Sequence, residues 1–569
     1  DDRAAAPPSS CQVGYSGTIS GADEGGRMRL SALKIRNHSR VVDLDVEVRD
    51  HLVLVGTNES GKSSILRCID LLLGAPRARL YATLTAADVR DPARPFVVEV
   101  TLTGAERAVF PDMNAAGAVR LRLDVHVGAD GETLDIHRRV VTGDGGAELT
   151  AAQLAAIGWT MMPDDADLHA GDMPMLRRLF ATLDLGDERR ALVQAEHAAD
   201  GALRRSGTLR TLRERIAGQL TAALPGCYRG DDLVFVATAR EDDPFDRVRL
   251  QLRGPNGQRD LGAQSGGLRA VFVVALFDLL DDDAGVIGID EPETHLHPTS
   301  QRNLARLLAR GPSQKIIATH APDIIGEFEP DEIVVVRTDD VVQPQRDFLD
   351  DDDKLLLRMW VRDRLEPLTA EHVVVVEGIT DRVLLEHCAD VTGRNLDTYG
   401  VVVLEAGGCR EMPAWRHVFG EHGFRVPLTQ LIDADAADAI AHDYGVRVGD
   451  LPAQHVWVSY PDLEGEYVRA LGANAAFDAL ARGGFRRGEL EEMRRRRRDG
   501  TLKDADVARF CRMRANKTRA VLAVMPAIDA AVARRIASVQ RLLNDVVRTT
   551  GGATGRPCET PRETDRGTI

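Results

Sequence analysis

The stretch HLVLVGTNESGKSSILRCIDLLLG, from His51 to Gly74, leaves little freedom to the fold around it. A short apolar run, a glycine-containing break and an apolar helical pattern read as buried strand, loop and helix. A strand buried on both faces belongs in a parallel sheet covered by helices, so an α/β architecture follows. The loop GTNESGKSS fits GxxxxGK[ST] with Gly56, Thr57, Asn58, Glu59, Ser60, Gly61, Lys62, Ser63 and Ser64. Backbone N–H groups gathered at a helix N-terminus suit phosphate oxygens. Lys62 is expected to reach the β/γ-phosphates and Ser63 to ligate Mg²⁺, which makes ATP the expected cofactor. A glycine-rich turn without a ligand is the alternative, and the strand–loop–helix setting argues against it.

Three further segments extend this reading. VIGIDEPETHLHP is a buried strand ending in Asp290 and Glu291. Asp290 is placed to hold Mg²⁺ through water and Glu291 to polarise an attacking water. KIIATH puts His320 at another strand end, within reach of a γ-phosphate, and Ser265, Gly266 and Gly267 open an apolar helix upstream. His295 and His297 form an HxH pair, read as shaping a turn in preference to binding metal. In this order the pieces resemble the ABC-type ATPase heads of the SMC/RecF kind over residues 28–337. The resemblance implies that two heads close on ATP, with Ser265, Gly266 and Gly267 completing a neighbour's site. Here QSGGLR departs from the usual LSGGQ of that signature.

The bulk numbers bound the partners. At 569 residues the chain needs several domains, and no apolar run approaches the ~18 residues of a membrane span. Seven scattered cysteines without a CxxC pair predict a reducing, cytoplasmic setting and no zinc site. Residues 482–548 carry 18 Lys/Arg against 8 Asp/Glu, a net of +10, while the whole chain is −16. A basic island beside acidic corners suits a protein that handles phosphodiesters. Within it, the run Arg494–Arg498 reads equally as phosphate contact or as a solvated helix face.

The corner HVVVVEGITD raises a second site. Glu377 and Asp433 each follow a mostly apolar run, HVVVV and PLTQLI, at the strand ends where open α/β sheets bind ligands. Asp381 and Asp435 stand close by in sequence. Carboxylates converging there repel one another unless a hard cation such as Mg²⁺ or Mn²⁺ neutralises them. EGxxD at 377–381, DAD at 433–435 and the intervening Gly407-Gly408 resemble the Toprim fold. Behind an ABC-type head, the chain resembles the OLD family of ATP-dependent endonucleases, close to the nuclease subunit of the Gabija-type phage-defence system. That resemblance implies metal binding by Glu377, Asp381, Asp433, Asp435 and Glu464, with Glu466 in reserve. It also implies a lysine near the scissile phosphate, for which Lys517 is the candidate and a solvated helix lysine the alternative; Lys503 is the other late lysine.

The expected organisation is an extension over 1–27, an ATPase domain over 28–149 and 226–340, and a helical, dimerising insertion over 150–225. A linker and helix follow over 341–370, then a Toprim nuclease domain with basic helices over 371–549 and a tail over 550–569. The implied partners are double-stranded DNA, a second or further copies through the ATPase heads, and a helicase encoded nearby; no membrane is expected. Two rivals stand beside a metal-dependent DNA endonuclease. One is a DNA-binding ATPase clamp with a structural Toprim unit. The other is a topoisomerase or primase, for which no strand-attacking tyrosine module is evident.

Overall fold

The computed structural model describes residues 28–551 except 112, 115–116, 143–144, 163–184, 186–202, 204, 224–225, 237–248, 255–256, 261–263, 265–266, 269–270, 273–274, 276–284, 295, 362–364 and 496–500. The molecule is α/β, with four sheets among these residues. The alternating segments near the start pair antiparallel. Their order is Leu44–Glu47, Arg29–Arg36, Phe96–Thr103, Val119–Val127, Leu134–Thr142 and Gly145–Glu148. Leu233–Val236, Arg249–Gly254 and Gly257–Asp260 make a small antiparallel sheet.

The nucleotide-binding sheet runs Val341–Val342, Ile333–Val336, Leu52–Val55, Gln314–Thr319, Val286–Asp290, Trp159–Met161. All neighbours are parallel except the first pair. Because side chains alternate across a strand, Leu52 and Leu54 face a core shared with the helix Lys62–Leu73 and the antiparallel sheet. Val53 and Val55 face a different core beneath the helices Gly207–Ala223 and Pro298–Arg310. Trp159–Met161 supplies the edge strand from within the stretch expected to be a helical insertion. Its Trp indole is tied to Asp70 by a 3.0 Å hydrogen bond, so the helix after the phosphate loop holds that edge in place.

The C-terminal unit is a four-stranded, all-parallel sheet ordered Val401–Glu405, His372–Val376, Leu428–Asp433, Val456–Ser459. Its first two strands in sequence, and then its third, place the switch of direction between His372–Val376 and Leu428–Asp433. Val374 and Val376 pack on the helix Ile379–Val391 and the C-terminal helices, whereas Val373 and Val375 belong to the core that continues under the nucleotide sheet. One apolar core therefore spans both halves. The 341–370 segment is part of this packing: Leu357 and Val361 of the helix Asp351–Val361 are buried, and Trp360 meets Trp415 edge-on at 4.9 Å. The last helix, Ala537–Gly551, runs slightly past the expected boundary and buries Thr550.

Candidate nucleotide and metal sites

The phosphate loop is shaped by two close approaches. A Cβ on Gly56 would lie 2.3 Å from the Val336 carbonyl oxygen, and Gly61 adopts φ +102° where a Cβ would lie 2.8 Å from the Arg40 carbonyl oxygen. Only glycine fits both demands. Lys62 Nζ donates to the carbonyls of Gly56 (2.9 Å) and Thr57 (2.8 Å), arching its ammonium over the loop. Burial lowers the Lys62 pKa, against the pull of Glu291, Asp290 and Glu293. Ser63 Oγ donates to Asp290 Oδ1 at 3.0 Å, which joins the loop to the strand end as an Mg²⁺-bridging pair requires. Burial raises the Asp290 carboxyl, and the Ser63 hydrogen bond works against it. Thr57, Asn58 and Glu59 are exposed at the loop tip, Ser60 is buried, and Ser64 lies half-buried in the helix.

Glu291 follows Asp290 with φ +41°, and its Oε1 lies 3.7 Å from His320 Nδ1. A third carboxylate, Glu293, sits nearer: its buried Oε1 is 3.2 Å from the same nitrogen. Glu293 is the second glutamate of EPETHLHP, a position that the strand-end argument for Asp290 and Glu291 does not single out. His297 accepts from the Thr299 N–H as the cap of the helix Pro298–Arg310, a turn-shaping role. Gly267 is half-buried, while Ser265, Gly266 and His295 lie outside the described residues.

At the second corner, Glu377 follows the strand His372–Val376 and Asp433 ends the neighbouring strand. Glu377 Oε1 accepts from the Asp433 N–H at 3.0 Å. Carboxylate oxygens of Glu377, Asp433 and Asp435 lie within 4.8 Å of one another, with Asp435 exposed. Asp381, in the first turn of the helix Ile379–Val391, accepts from the Gly378 N–H at 3.1 Å. Glu464 is buried on the helix Leu463–Leu471 and lies 3.5 Å from Lys517 Nζ. The structure thus gathers the five proposed ligands and Lys517 around one corner, with Glu377, Asp433 and Asp435 as the tight group. Glu466 is committed elsewhere: it accepts from the Tyr460 N–H and from Ser538 N–H and Oγ. Lys503 is exposed at the start of the helix Asp504–Arg512. Arg494 and Arg495 end the helix Arg487–Arg495, and Arg496–Arg498 lie outside the described residues.

The electrostatics of this corner are those of crowded anions. Burial raises the Asp433 carboxyl to about 8, with Glu377, Asp381 and Glu464 adding to the shift. Asp381 is pushed up to about 6 by burial; Lys517 opposes the shift, and Glu464 and Glu377 add to it. Burial alone would lower the Lys517 pKa, but Asp381, Glu464, Asp433 and Glu377 together raise it. Glu464 Oε2 is buried without a hydrogen-bond partner. An oxygen-only donor set with an orphaned carboxylate oxygen fits a hard divalent cation and offers nothing to a soft one.

Two anchors in this region were not singled out from the sequence. Asp462 caps the helix carrying Glu464, accepting from the Gly465 N–H at 2.7 Å, and Arg512 pairs with its other oxygen. Asp433 Oδ1 accepts from Leu463 N–H at 3.0 Å, so that helix N-terminus points at the acidic corner.

A family model described as "Overcoming lysogenization defect protein-like, TOPRIM domain" matches residues 368–435. A second, whose description names an AAA domain and the AbiEii toxin of Type IV TA systems, matches residues 207–326. Among curated proteins, the chain is 26% identical over 415 residues to the "OLD nuclease" of Thermus scotoductus, covering 67% of this chain and 77% of that one. Among solved structures, an Smc head domain of Pyrococcus furiosus, with a coiled coil and bound to the C-terminal domain of ScpA, aligns at 15% identity. The alignment has a TM-score of 0.39 and covers 59% of this chain and 99% of that one. The SMC head domain of Thermotoga maritima aligns at 14% identity and a TM-score of 0.29, over 56% of this chain and 99% of that one. No described helix is long and apolar enough to cross a membrane.

Proposed function

The chain joins an AAA-type ATPase domain to an OLD-like Toprim domain, and on that premise we propose that it is an ATP-regulated, divalent-metal-dependent DNA endonuclease. The observation that carries this reading is the gathering of Glu377, Asp433 and Asp435 at adjacent strand ends, ringed by Asp381, Glu464 and Lys517. Glu377, Asp381, Asp433, Asp435 and Glu464 are the residues that hold Mg²⁺ or Mn²⁺. Bound there, such ions supply an activated water and neutralise charge on the leaving oxygen. Lys517 offers its ammonium to the scissile phosphate, and its place beside Glu464 keeps that ammonium charged and oriented.

In the ATPase unit, Lys62 and the loop N–H groups take the β/γ-phosphates of ATP, and Ser63 with Asp290 holds the nucleotide's Mg²⁺. Glu291 polarises water for attack, and His320 stands at the γ-phosphate. Ser265, Gly266 and Gly267 complete the site of a second copy, so the heads pair as a dimer or a tetramer. The 150–225 segment contributes to that pairing. The positive island over 482–548 supplies backbone contacts to double-stranded DNA, giving affinity that falls with salt and no choice of sequence. The sequence resemblance to the nuclease subunit of the Gabija-type system supports a role in phage defence in the cytoplasm, with a helicase encoded nearby as partner.

Nicking of supercoiled plasmid tests this directly. Wild type is expected to relax plasmid with Mg²⁺ or Mn²⁺ and to be inert in EDTA, and Asp433→Ala to lose at least about 100-fold in rate. Absence of cutting with either metal, or an Asp433→Ala variant as fast as wild type, defeats the nuclease reading. ATP-dependent retention of DNA without strand scission would favour the clamp instead.

A further inference from the structure

We propose that Glu293 is a positioning residue for ATP hydrolysis, which holds His320 so that the Nε2 edge of the imidazole faces the nucleotide. The proposal rests on reading the phosphate-loop site as hydrolytic, and deepens it. Glu293 lies in the turn after the strand Val286–Asp290 and is buried. Its Oε1 takes bonds from the end of the adjacent strand: Thr319 Oγ1 at 2.7 Å and the His320 N–H at 2.9 Å. Thr319 Oγ1 in turn accepts from the Ala321 N–H at 3.0 Å. One carboxylate oxygen therefore fixes backbone on both sides of the His320 α-carbon.

The same oxygen lies 3.2 Å from His320 Nδ1, and the imidazole is about half exposed. A carboxylate only accepts, so when this 3.2 Å contact closes into a hydrogen bond the proton in it is the one on Nδ1. Nε2 is then the edge left free, whether as a lone pair or as a second donor. Glu291 Oε1 is the competing partner, 3.7 Å from that same Nδ1. Without Glu293, the Nδ1–H would turn to Glu291 and occupy the carboxylate needed to polarise water. Glu293 thus does two things: it orients His320 and it keeps His320 off Glu291. The relation is that of a buried acid to a working histidine in other hydrolytic sites.

The test is steady-state ATP turnover by the full chain with saturating Mg²⁺. It compares wild type, Glu293→Ala, Glu293→Gln, His320→Ala and the double variant lacking both side chains. Glu293→Ala is expected to lower kcat about 10- to 100-fold with KM changed by less than about threefold. Glu293→Gln, which keeps an acceptor oxygen without the charge, should fall between it and wild type. The double variant should be no slower than His320→Ala alone, because Glu293 acts through that histidine. Losses that multiply in the double variant overturn the proposal, as does a Glu293→Ala kcat within about threefold of wild type. If Glu293→Ala does not fold, as judged by its melting curve, the same cycle is run with Glu293→Gln. A wild type that binds ATP without turnover would overturn the hydrolytic reading itself, an outcome distinct from an active wild type indifferent to Glu293.

Discussion

At the scale of single residues, Asp381 shows how the acidic corner sets binding against stability. Burial lifts its carboxyl from 3.8 to about 6, although Lys517 pulls the other way. The sign of the linkage follows from that direction. An acid whose folded pKa is raised contributes its full stability only below the unfolded value, and loses it as pH climbs through the folded one. Metal-free protein should therefore weaken between pH 4 and pH 6 on account of this group. Asp381→Asn removes the charge that burial opposes. In EDTA at pH 8 it is expected to raise stability by on the order of 2–3 kcal/mol, read as a higher urea midpoint. Near pH 4 the two proteins should converge, since the carboxyl is then protonated on folding at little cost. Added Mg²⁺ should narrow the gap at pH 8 by stabilising wild type more than the variant. A midpoint that is unchanged or lower at pH 8 would mean that Asp381 is not strained by its surroundings.

At the scale of elements, the helix Leu463–Leu471 carries Glu464 into the corner, and its placement depends on its first turn. Asp462 caps it, Arg512 steadies Asp462 from the helix Asp504–Arg512, and Leu463 N–H bonds Asp433. Asp462→Ala is expected to cost about 0.5–2 kcal/mol of stability, as cap loss generally does. It should lower nicking further than Arg512→Ala, because it frees the helix end that aims Glu464. Denaturant midpoints and plasmid nicking measured on both variants check the order. None of this clamp was legible in the sequence, since pairing across 50 positions leaves no local pattern. The strand ends were legible, because HVVVV and PLTQLI are mostly apolar without the alternation of a half-exposed strand, as suits a parallel strand covered on both faces. Trp159–Met161 was not: three residues are too few for a period, and only its partner strand makes it a strand. Glu293 was hidden differently, inside a motif whose neighbours already had roles.

At the scale of the molecule, the sequence suggested two sites in series with a linker between, and the structure instead packs that connection as a bridge. The Val336 carbonyl lies against Gly56, the first residue of the phosphate loop. The next residue, Arg337, donates to the Phe424 carbonyl at 2.9 Å and the Arg425 carbonyl at 3.3 Å in the second α/β unit. Asp340 pairs with Arg425 at 3.4 Å, and Phe348 packs edge-on against Phe424 at 5.7 Å. Two residues beyond Arg425, the Pro427 carbonyl accepts from the Val373 N–H at 2.8 Å, at the start of the strand leading to Glu377. Phosphate loop and acidic corner are thus joined by contiguous backbone and one half-buried guanidinium. A shift of the loop on nucleotide binding would press on Val336 and reach the Glu377 strand through Arg337. Arg337 touches neither site, so Arg337→Ala should leave ATP turnover and ATP-free nicking within about threefold of wild type. The ratio of nicking rates with and without ATP is what should move, collapsing toward unity by about 5-fold or more, as loss of a coupling energy near 1 kcal/mol requires. Nicking assays with ATP, with a non-hydrolysable analogue and without nucleotide measure that ratio. If Arg337→Ala keeps the wild-type ratio, signals between the ATPase unit and the acidic corner travel by another route, through the shared apolar core around Trp360 and Trp415.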